Sequence, residues 1–332
     1  MELTDMQFYL YEPSFIHPIR TPKVTMTHRK TLFVKWTDEK QQSWFGECNA
    51  FDTAWYYHET INNVMHVLKV WFEGVRGLDL VSFEEAKQCV ATLNPYPAAR
   101  ATVMMALYQM FHSLESFHVP MTLTINGDFT ERLMRLDGVG RIKIKWTSQM
   151  IEQVKMLATM YPDIPISTDA NQTLTATDTK MLERLKPYLA FIEEPFETLD
   201  VEADYTGFPS IALDEQATCL TTIEQLTQNP HIKTVVLKPF RLGGIDRVLE
   251  AMQVLQSKGI HVVIGGMYEC GLSRYFTAWL SQWGDYAGDV TPEGFYFERD
   301  VTNNVGRVAR RTVIFRTARS ESVFIITAMM MR

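Results

Sequence analysis

Four cysteines in 332 residues are too few and too scattered to build a framework: Cys48, Cys89, Cys219 and Cys270 form no C-x-x-C pair. That spacing argues against both structural zinc and a disulfide scaffold. The eight histidines show no H-x-x-x-H or clustered spacing, so packing or surface roles are expected for them. A positive surplus is also missing, since 32 Lys and Arg face 39 Asp and Glu for a net charge of −7. Nucleic-acid binding favours a basic face, so it is not expected here. No apolar run is long enough to span a bilayer, and "MELTDMQFYL" lacks the basic start and apolar segment of a secretory signal. A reducing cytoplasm is the expected compartment, without membrane partners. No G-x-G-x-x-G or Walker glycine pattern follows any candidate strand, and "RLGGID" is too short for either.

What is present is an ordinary globular composition, 46% hydrophobic and 21% charged, in a chain long enough for two domains. In the first part, "TLFVKW" reads as a strand and "SWFGECNAF" as a strand running into a loop. From Glu59, "ETINNVMHVLKVWFEGV" carries the helical stripe Ile61, Val64, Val67, Leu68 and Trp71; a second helix is expected over Ala98 to Leu114. From about Pro120, short apolar strands alternate with amphipathic helices, the pattern of βα units around a parallel sheet. Eight candidate strands follow: "MTLTIN", "RIKIKW", "IPISTDA", "LAFIEE", "SIALDE", "TVVLKP", "HVVIGG" and "DYAGDV". The expected fold is α/β, a modified (β/α)7-8 TIM barrel over residues 119–304 behind an α+β cap over 1–118, with a doubly wound open sheet as the structural alternative. The segment is shorter than the ~250 residues typical of an eightfold barrel, which compact loops or one missing helix would reconcile.

The chemistry lies in how the strands end. Asp169, Glu193 with Glu194, Asp214 with Glu215, Lys238, and the pair Gly265 and Gly266 close successive strands. Intervals of 24, 24, 21, 24 and 27 residues separate Lys145, Asp169, Glu193, Asp214, Lys238 and Gly265, about one βα unit each. In a barrel those C-terminal ends form the active-site face. Taken singly, Asp169 is more readily a helix N-cap than a ligand. Acidic residues ending three consecutive strands would repel one another unless a cation held them, and oxygen-only donors suit a hard divalent ion such as Mg²⁺.

Lys143 and Lys145 share one face of the second barrel strand, because side chains two apart point together. Alone, that is the wet face of a half-buried strand. With Lys238 opposite, close cations and a metal would lower a lysine's pKa and make a neutral amine reachable near pH 7. The expected reaction begins by removing a proton α to a substrate carboxylate, leaving an enediolate.

The motifs K-x-K (Lys143, Lys145), D-A-N (Asp169 to Asn171), I-E-E-P (Ile192 to Pro195), D-E (Asp214, Glu215), K-P-x-x-x-G-G (Lys238 to Gly244) and G-G-M-x-E (Gly265 to Glu269) resemble, in this order, the muconate-lactonizing branch of the enolase superfamily. The likeness reaches to about Asp300. "HPIRTPKVT", "WFGECNAFDTAWYYHET" and "AARATVMMALYQM" are similar to that branch's cap, with a flavour of the o-succinylbenzoate synthase group of Gram-positive bacteria. The resemblance implies an enzyme, a lyase, acting on a small-molecule carboxylate. Asp169, Glu193 and Asp214 would bind Mg²⁺, with Mn²⁺ as a substitute. Lys145 would take the α-proton, Lys143 would support it, and Lys238 would be the opposing lysine. Asn171 and Glu215 would orient ligands or lysines. Backbone N–H groups of Gly265, Gly266 and Met267 would hold the distal, succinyl part of the substrate, and the loop from Thr21 to Arg29 would close over the site. A homo-oligomer is compatible with the family, but no interface can be read from the residues.

The implied activity is syn-dehydration of 2-succinyl-6-hydroxy-2,4-cyclohexadiene-1-carboxylate to 2-succinylbenzoate in menaquinone biosynthesis; the alternative is N-succinylamino acid racemisation, which uses Lys145 and Lys238 on opposite faces. The motifs do not separate the two. A non-catalytic protein that merely keeps the barrel is disfavoured by the intact lysine and carboxylate set. Two departures stand out. Met104 and Gln109 replace a Glu and an Asp of the family's helix motif, and the arginine-rich end over 305–332 has no counterpart in the pattern; it is expected to pack on the cap and complete it.

Overall fold

The structure, a computed structural model, describes residues 1–21, 23–125, 139–298, 301, 307–309 and 312–315. Its N-terminal part is built on an antiparallel sheet in which β1 (Leu3–Tyr11) and β5 (Ser43–Cys48) flank β4 (Thr31–Asp38). Between β1 and β4 in the chain, β2 (Ser14–Arg20) and β3 (Thr25–His28) form a hairpin. Helix α1 (Ile61–Val75) starts where Thr60 and Asn63 cap each other reciprocally, satisfying two donors of the first turn. It buries Ile61, Val64, Leu68, Trp71, Phe72 and Val75, while Val67 of the expected stripe is only half-buried. After α2 (Phe83–Cys89) comes α3 (Pro97–Phe111), with proline at the first turn and the free N–H groups of Ala98 and Ala99 donated to Glu59.

Helix α3 is buried on nearly every side because it lies between this sheet and the second part of the chain. On the sheet side Gly46 is required: a Cβ there would stand 1.9 Å from the carbonyl oxygen of Thr102. Gln109 donates to the carbonyl of Phe45 at 2.7 Å, and Met104 is fully buried, so both departures from the family motif serve packing. On the other side Arg100 holds Asp246 through two hydrogen bonds of 2.9 and 2.7 Å and donates to the carbonyl of Gly243.

Seven parallel strands follow, hydrogen-bonded in sequence order: β7 (Met121–Ile125), β8 (Val139–Lys145), β9 (Ile166–Asp169), β10 (Phe191–Glu193), β11 (Ile211–Leu213), β12 (Ile232–Leu237) and β13 (His261–Ile264). Sequential order is the arrangement of a curled barrel sheet and rules out the doubly wound alternative, whose order reverses at a switch point. The connections carry α4 (Met150–Met160), α5 (Thr179–Leu185), α6 (Leu220–Leu226), α7 (Pro239–Leu242) and α8 (Ile245–Ser257), and α9 (Leu272–Ser281) follows β13. The eighth expected strand, "DYAGDV", is not one. Asp285 and Asp289 donate backbone hydrogen bonds to Val262 and Ile264 of β13. Its other side is met by side chains rather than a ladder: Thr122 Oγ1 and Arg141 Nε donate to the carbonyl of Ala287 at 2.9 and 3.0 Å. Within it Gly288 passes close to α9, where a Cβ would stand 2.2 Å from the Ser281 hydroxyl oxygen.

The core is continuous between the two parts, since Phe33, Phe45 and Met105 share a cluster with Leu213, Leu237 and Phe276. Part of the arginine-rich end is described by its backbone: β14 (Arg307–Ala309) pairs with β15 (Thr312–Phe315), which pairs with β6 (Phe117–Val119) at the expected boundary between cap and barrel. Residues 316–332 of that end lie outside the described residues. Among the described residues no helix is long and apolar enough to cross a membrane.

Candidate active site

Strand β8 presents Arg141, Lys143 and Lys145 on one face, as alternation requires. Exposure rises along the strand: Arg141 is fully buried, Lys143 is buried, and the Lys145 side chain is 29% exposed. In the pairing register Lys145 lies beside Asp169, and Asp169 beside Glu193, so three adjacent strand ends bring their charged groups to one level. Lys145 Nζ donates to Asp169 Oδ2 at 2.5 Å and to Asn171 Oδ1 at 2.8 Å. Lys143 Nζ donates to Glu193 Oε2 at 2.5 Å and lies 3.3 Å from Asp169. Across the mouth, Lys238 Nζ donates to Asp214 Oδ2 and to the Tyr56 hydroxyl, each at 2.7 Å.

Burial alone would favour neutral lysines, but the carboxylates win. Attraction to Asp289, Glu193 and Asp169 holds Lys143 well above its usual range, and Asp214 and Tyr56 do the same for Lys238. For Lys143 and Lys238 this is opposite in direction to the expected lowering, which counted neighbouring cations and a bound metal rather than the carboxylates bonded directly to these amines. Conversely, despite burial, Lys145 and Lys143 hold Asp169 below the usual carboxylate range, and Lys238 and Arg241 hold Asp214 there.

The two glutamates of I-E-E-P do different work. Glu193 points into the barrel between Lys143 and Arg141. Glu194, at a φ of 38°, turns to the next loop and accepts from the N–H groups of Asp214 and Gln216 at 2.7 and 2.9 Å. Asn171 and Glu215 come together at 3.4 Å, and burial beside Asp214 pushes Glu215 up to about 7. Gly265 fits only as glycine, since a Cβ would lie 2.7 Å from Lys238 Cε. The Met267 side chain packs into the cap core with Phe240, leaving only its backbone for the site. From the β2–β3 hairpin, Lys23 donates to Gln172 at 3.4 Å, which brings the expected closing loop to the segment after β9; Pro22 of that loop lies outside the described residues.

Four participants were missed in the sequence. Arg141 donates to Ser167, Glu193 and Asp289 at 2.8, 3.0 and 2.7 Å, and could have been found by extending the alternation of "RIKIKW" two residues back. Asp289 sits in the irregular closing segment. Tyr56 and Arg241, which hydrogen-bond each other, both touch the Lys238–Asp214 pair, but no spacing links a cap loop to a barrel strand.

Among the described residues, no three His, Cys, Asp or Glu side chains stand together as a metal would need, because Asp169, Glu193 and Asp214 each face an amine. In kind the donors fit: three buried carboxylates at consecutive strand ends are the oxygen-only set of a hard divalent cation.

Comparison with known proteins agrees with this fold. Residues 127–314 match the family described as "Enolase C-terminal domain-like". An o-succinylbenzoate synthase of Bacillus subtilis (strain 168) is 25% identical over 328 residues, covering 91% of this chain and 88% of that protein. An N-succinylamino acid racemase of Thermus thermophilus is 24% identical over 277 residues, 74% of each. Among solved structures, an enolase-superfamily member from Listeria innocua aligns with a TM-score of 0.84 at 21% identity, covering 99% of this chain and 96% of that one. A dipeptide epimerase from Enterococcus faecalis, complexed with Mg and the dipeptide L-Leu-L-Tyr, aligns with a TM-score of 0.78 at 18% identity, covering 98% and 99%.

Proposed function

This chain belongs to the Enolase C-terminal domain-like family and is an enzyme, and from that premise we propose that it is an o-succinylbenzoate synthase, a lyase that removes water from 2-succinyl-6-hydroxy-2,4-cyclohexadiene-1-carboxylate. The observation that carries α-proton abstraction, the step both readings share, is the placement of Lys145 beside Asp169 and of Lys238 beside Asp214 within one charged cluster. The curated relative from B. subtilis bears this activity's name. We further propose that residues 1–118 serve as the cap and 119–304 as the catalytic barrel.

Asp169, Glu193 and Asp214 would hold the cation. Bound there, Mg²⁺ would supply two positive charges and Lewis-acid polarisation of the substrate carboxylate, acidifying its α-proton. Lys145, the most exposed cation of β8, is the base: its neutral amine takes the α-proton, and the same amine returns it to the departing hydroxyl on the same face. Lys143 stays charged between Glu193 and Asp169 and supports negative charge developing beside it. Lys238 stays charged as well and faces the substrate ring from the opposite side. Asn171 orients Lys145 through its amide oxygen. The N–H groups of Gly266 and Met267, which donate no hydrogen bond among the described residues, receive the succinyl end; the Gly265 N–H, expected there too, is instead donated to the carbonyl of Leu237 at 2.9 Å.

A racemase on the same scaffold is the second reading, favoured by the presence of both lysines and by the Thermus relative. Rates on the two substrate types separate them. The purified chain with Mg²⁺ is expected to give a higher kcat/KM on the cyclohexadiene carboxylate than on N-succinyl amino acids. Turnover of only the N-succinyl amino acids reverses the assignment.

A further inference from the structure

Glu47, in the "WFGEC" stretch of β5, has no part in the mechanism above. Its buried carboxylate leaves the cap and grips the barrel: Oε1 accepts from the N–H of Cys270 at 2.7 Å and Oε2 from that of Ser273 at 3.0 Å. Ser273 belongs to the first turn of α9, where free N–H groups and the helix dipole favour a negative charge. Capping alone accounts for that contact. Cys270 lies before the helix, in the turn that leaves β13, so its bond to Glu47 has another consequence.

That turn borders the site at Gly265, where a Cβ would lie 2.7 Å from Lys238 Cε. Its backbone is tied at both ends, by the Gly265 N–H to the carbonyl of Leu237 at 2.9 Å and by the Cys270 N–H to Glu47. Between them, the N–H groups of residues 266–269 donate no hydrogen bond among the described residues. Tyr268 sits inside this span at a φ of 57°, a left-handed conformation that an aromatic residue holds only under constraint. A second link runs through α9. Thr277 donates to Glu269 Oε1 at 2.5 Å, and Glu269 Oε2 would stand 3.2 Å from a Cβ at Gly266. The placement of the helix therefore reaches Gly266 as well. Burial pushes Glu269 up to about 8, so this neighbour keeps its proton near pH 7 and does not repel an anion at the turn.

We propose that Glu47 is a positioning residue: by gripping Cys270 and the start of α9 from the cap, it sets the Gly266 and Met267 N–H groups for the distal carboxylate of the substrate, a role that rests on the reading that these groups receive the succinyl end. Donors already in place spare the ligand the cost of ordering the turn when it binds. Loosening the cap end of the turn releases the 266–269 span, and the loss falls on the distal carboxylate rather than on the ring.

In Glu47→Gln one oxygen can still accept, whereas the amide NH₂ faces an N–H group that it cannot pair with. With Mg²⁺ present, calorimetry compares two ligands: 2-succinylbenzoate, and 2-butanoylbenzoate, in which a methyl group replaces the distal carboxylate. The expected result is a loss of about 10-fold in affinity for the first and none for the second. Asn49→Ala removes only the neighbouring link from Ser273 Oγ at 3.0 Å and should leave both affinities unchanged. A thermal midpoint checks the fold. If Glu47→Gln does not fold, Glu47→Asp, which draws the charge back by one methylene, is expected to show the same selective loss. Equal losses for both ligands, no loss for either, or the same loss in Asn49→Ala overturns the role. A wild-type chain with equal affinity for the two ligands removes the premise and the proposal with it. Selective binding by a wild-type chain that never dehydrates overturns the dehydration reading and leaves the role of Glu47 standing.

Discussion

Lys145→Ala is expected to abolish dehydration, with kcat falling by at least ~10³-fold, while Mg²⁺ binding measured by calorimetry persists. The effect is large because no neighbour can replace this amine. Lys143 is pinned by Glu193 at 2.5 Å and held charged by three carboxylates, so it has no free electron pair with which to take a proton. Lys238 is held charged by Asp214 on the other side of the site. Lys145 alone combines an approach to the mouth with a short contact to Asp169 and an orienting amide, Asn171. A general base contributes about 10²–10⁴-fold by itself; here the same amine also returns the proton to the leaving group. Full activity in the variant would remove Lys145 from the mechanism. Lys238→Ala is likewise expected to abolish dehydration, by removing the cation that faces the ring.

Arg141→Met should destabilise the fold by about 3–5 kcal/mol, the usual cost of leaving a buried charge without its partner. Arg141 is fully buried and ties four groups of the barrel together: Ser167 of β9, Glu193 of β10, and Ala287 and Asp289 of the closing segment. Among the described residues, Glu193 and Asp289 would then retain only Lys143, and the carbonyl of Ala287 only Thr122. The pH dependence has a definite sign. Despite burial, Lys143 and Arg141 hold Asp289 below the usual carboxylate range, so its contribution is present above the unfolded value and is lost as pH falls through the folded one. The deficit of the variant should therefore be greatest near neutral pH and shrink toward acid. Urea unfolding at several pH values measures it; a deficit independent of pH would show that Arg141 acts by packing alone.

These residues also mark how far the sequence could be read. Strand order and the level of the strand ends followed from regular intervals between Lys145, Asp169, Glu193, Asp214 and Lys238, because βα units repeat at a nearly fixed length. The closing segment looked like a strand by composition, yet side chains of Thr122 and Arg141 complete it, and alternation cannot reveal a carbonyl satisfied from across a barrel. β1 was not foreseen, since polar Thr4, Asp5 and Gln7 interrupt the apolar pattern of an edge strand. Tyr56 was beyond reach for another reason: its contacts with Lys238 and Arg241 depend on how the cap sits on the barrel. For Lys143 and Lys238 the carboxylates outweigh the neighbouring cations, because spacing shows which charges are near, whereas hydrogen bonding decides which of them dominate.

The measurement that bears most directly on this account follows metal-dependent chemistry on one preparation. The chain is treated with EDTA, then titrated with Mg²⁺, while loss of water from the cyclohexadiene carboxylate is recorded. No dehydration in EDTA, and activity that returns to saturate at one ion per chain in the wild type but not in Asp214→Asn, is the predicted result. Undiminished dehydration in EDTA would contradict it.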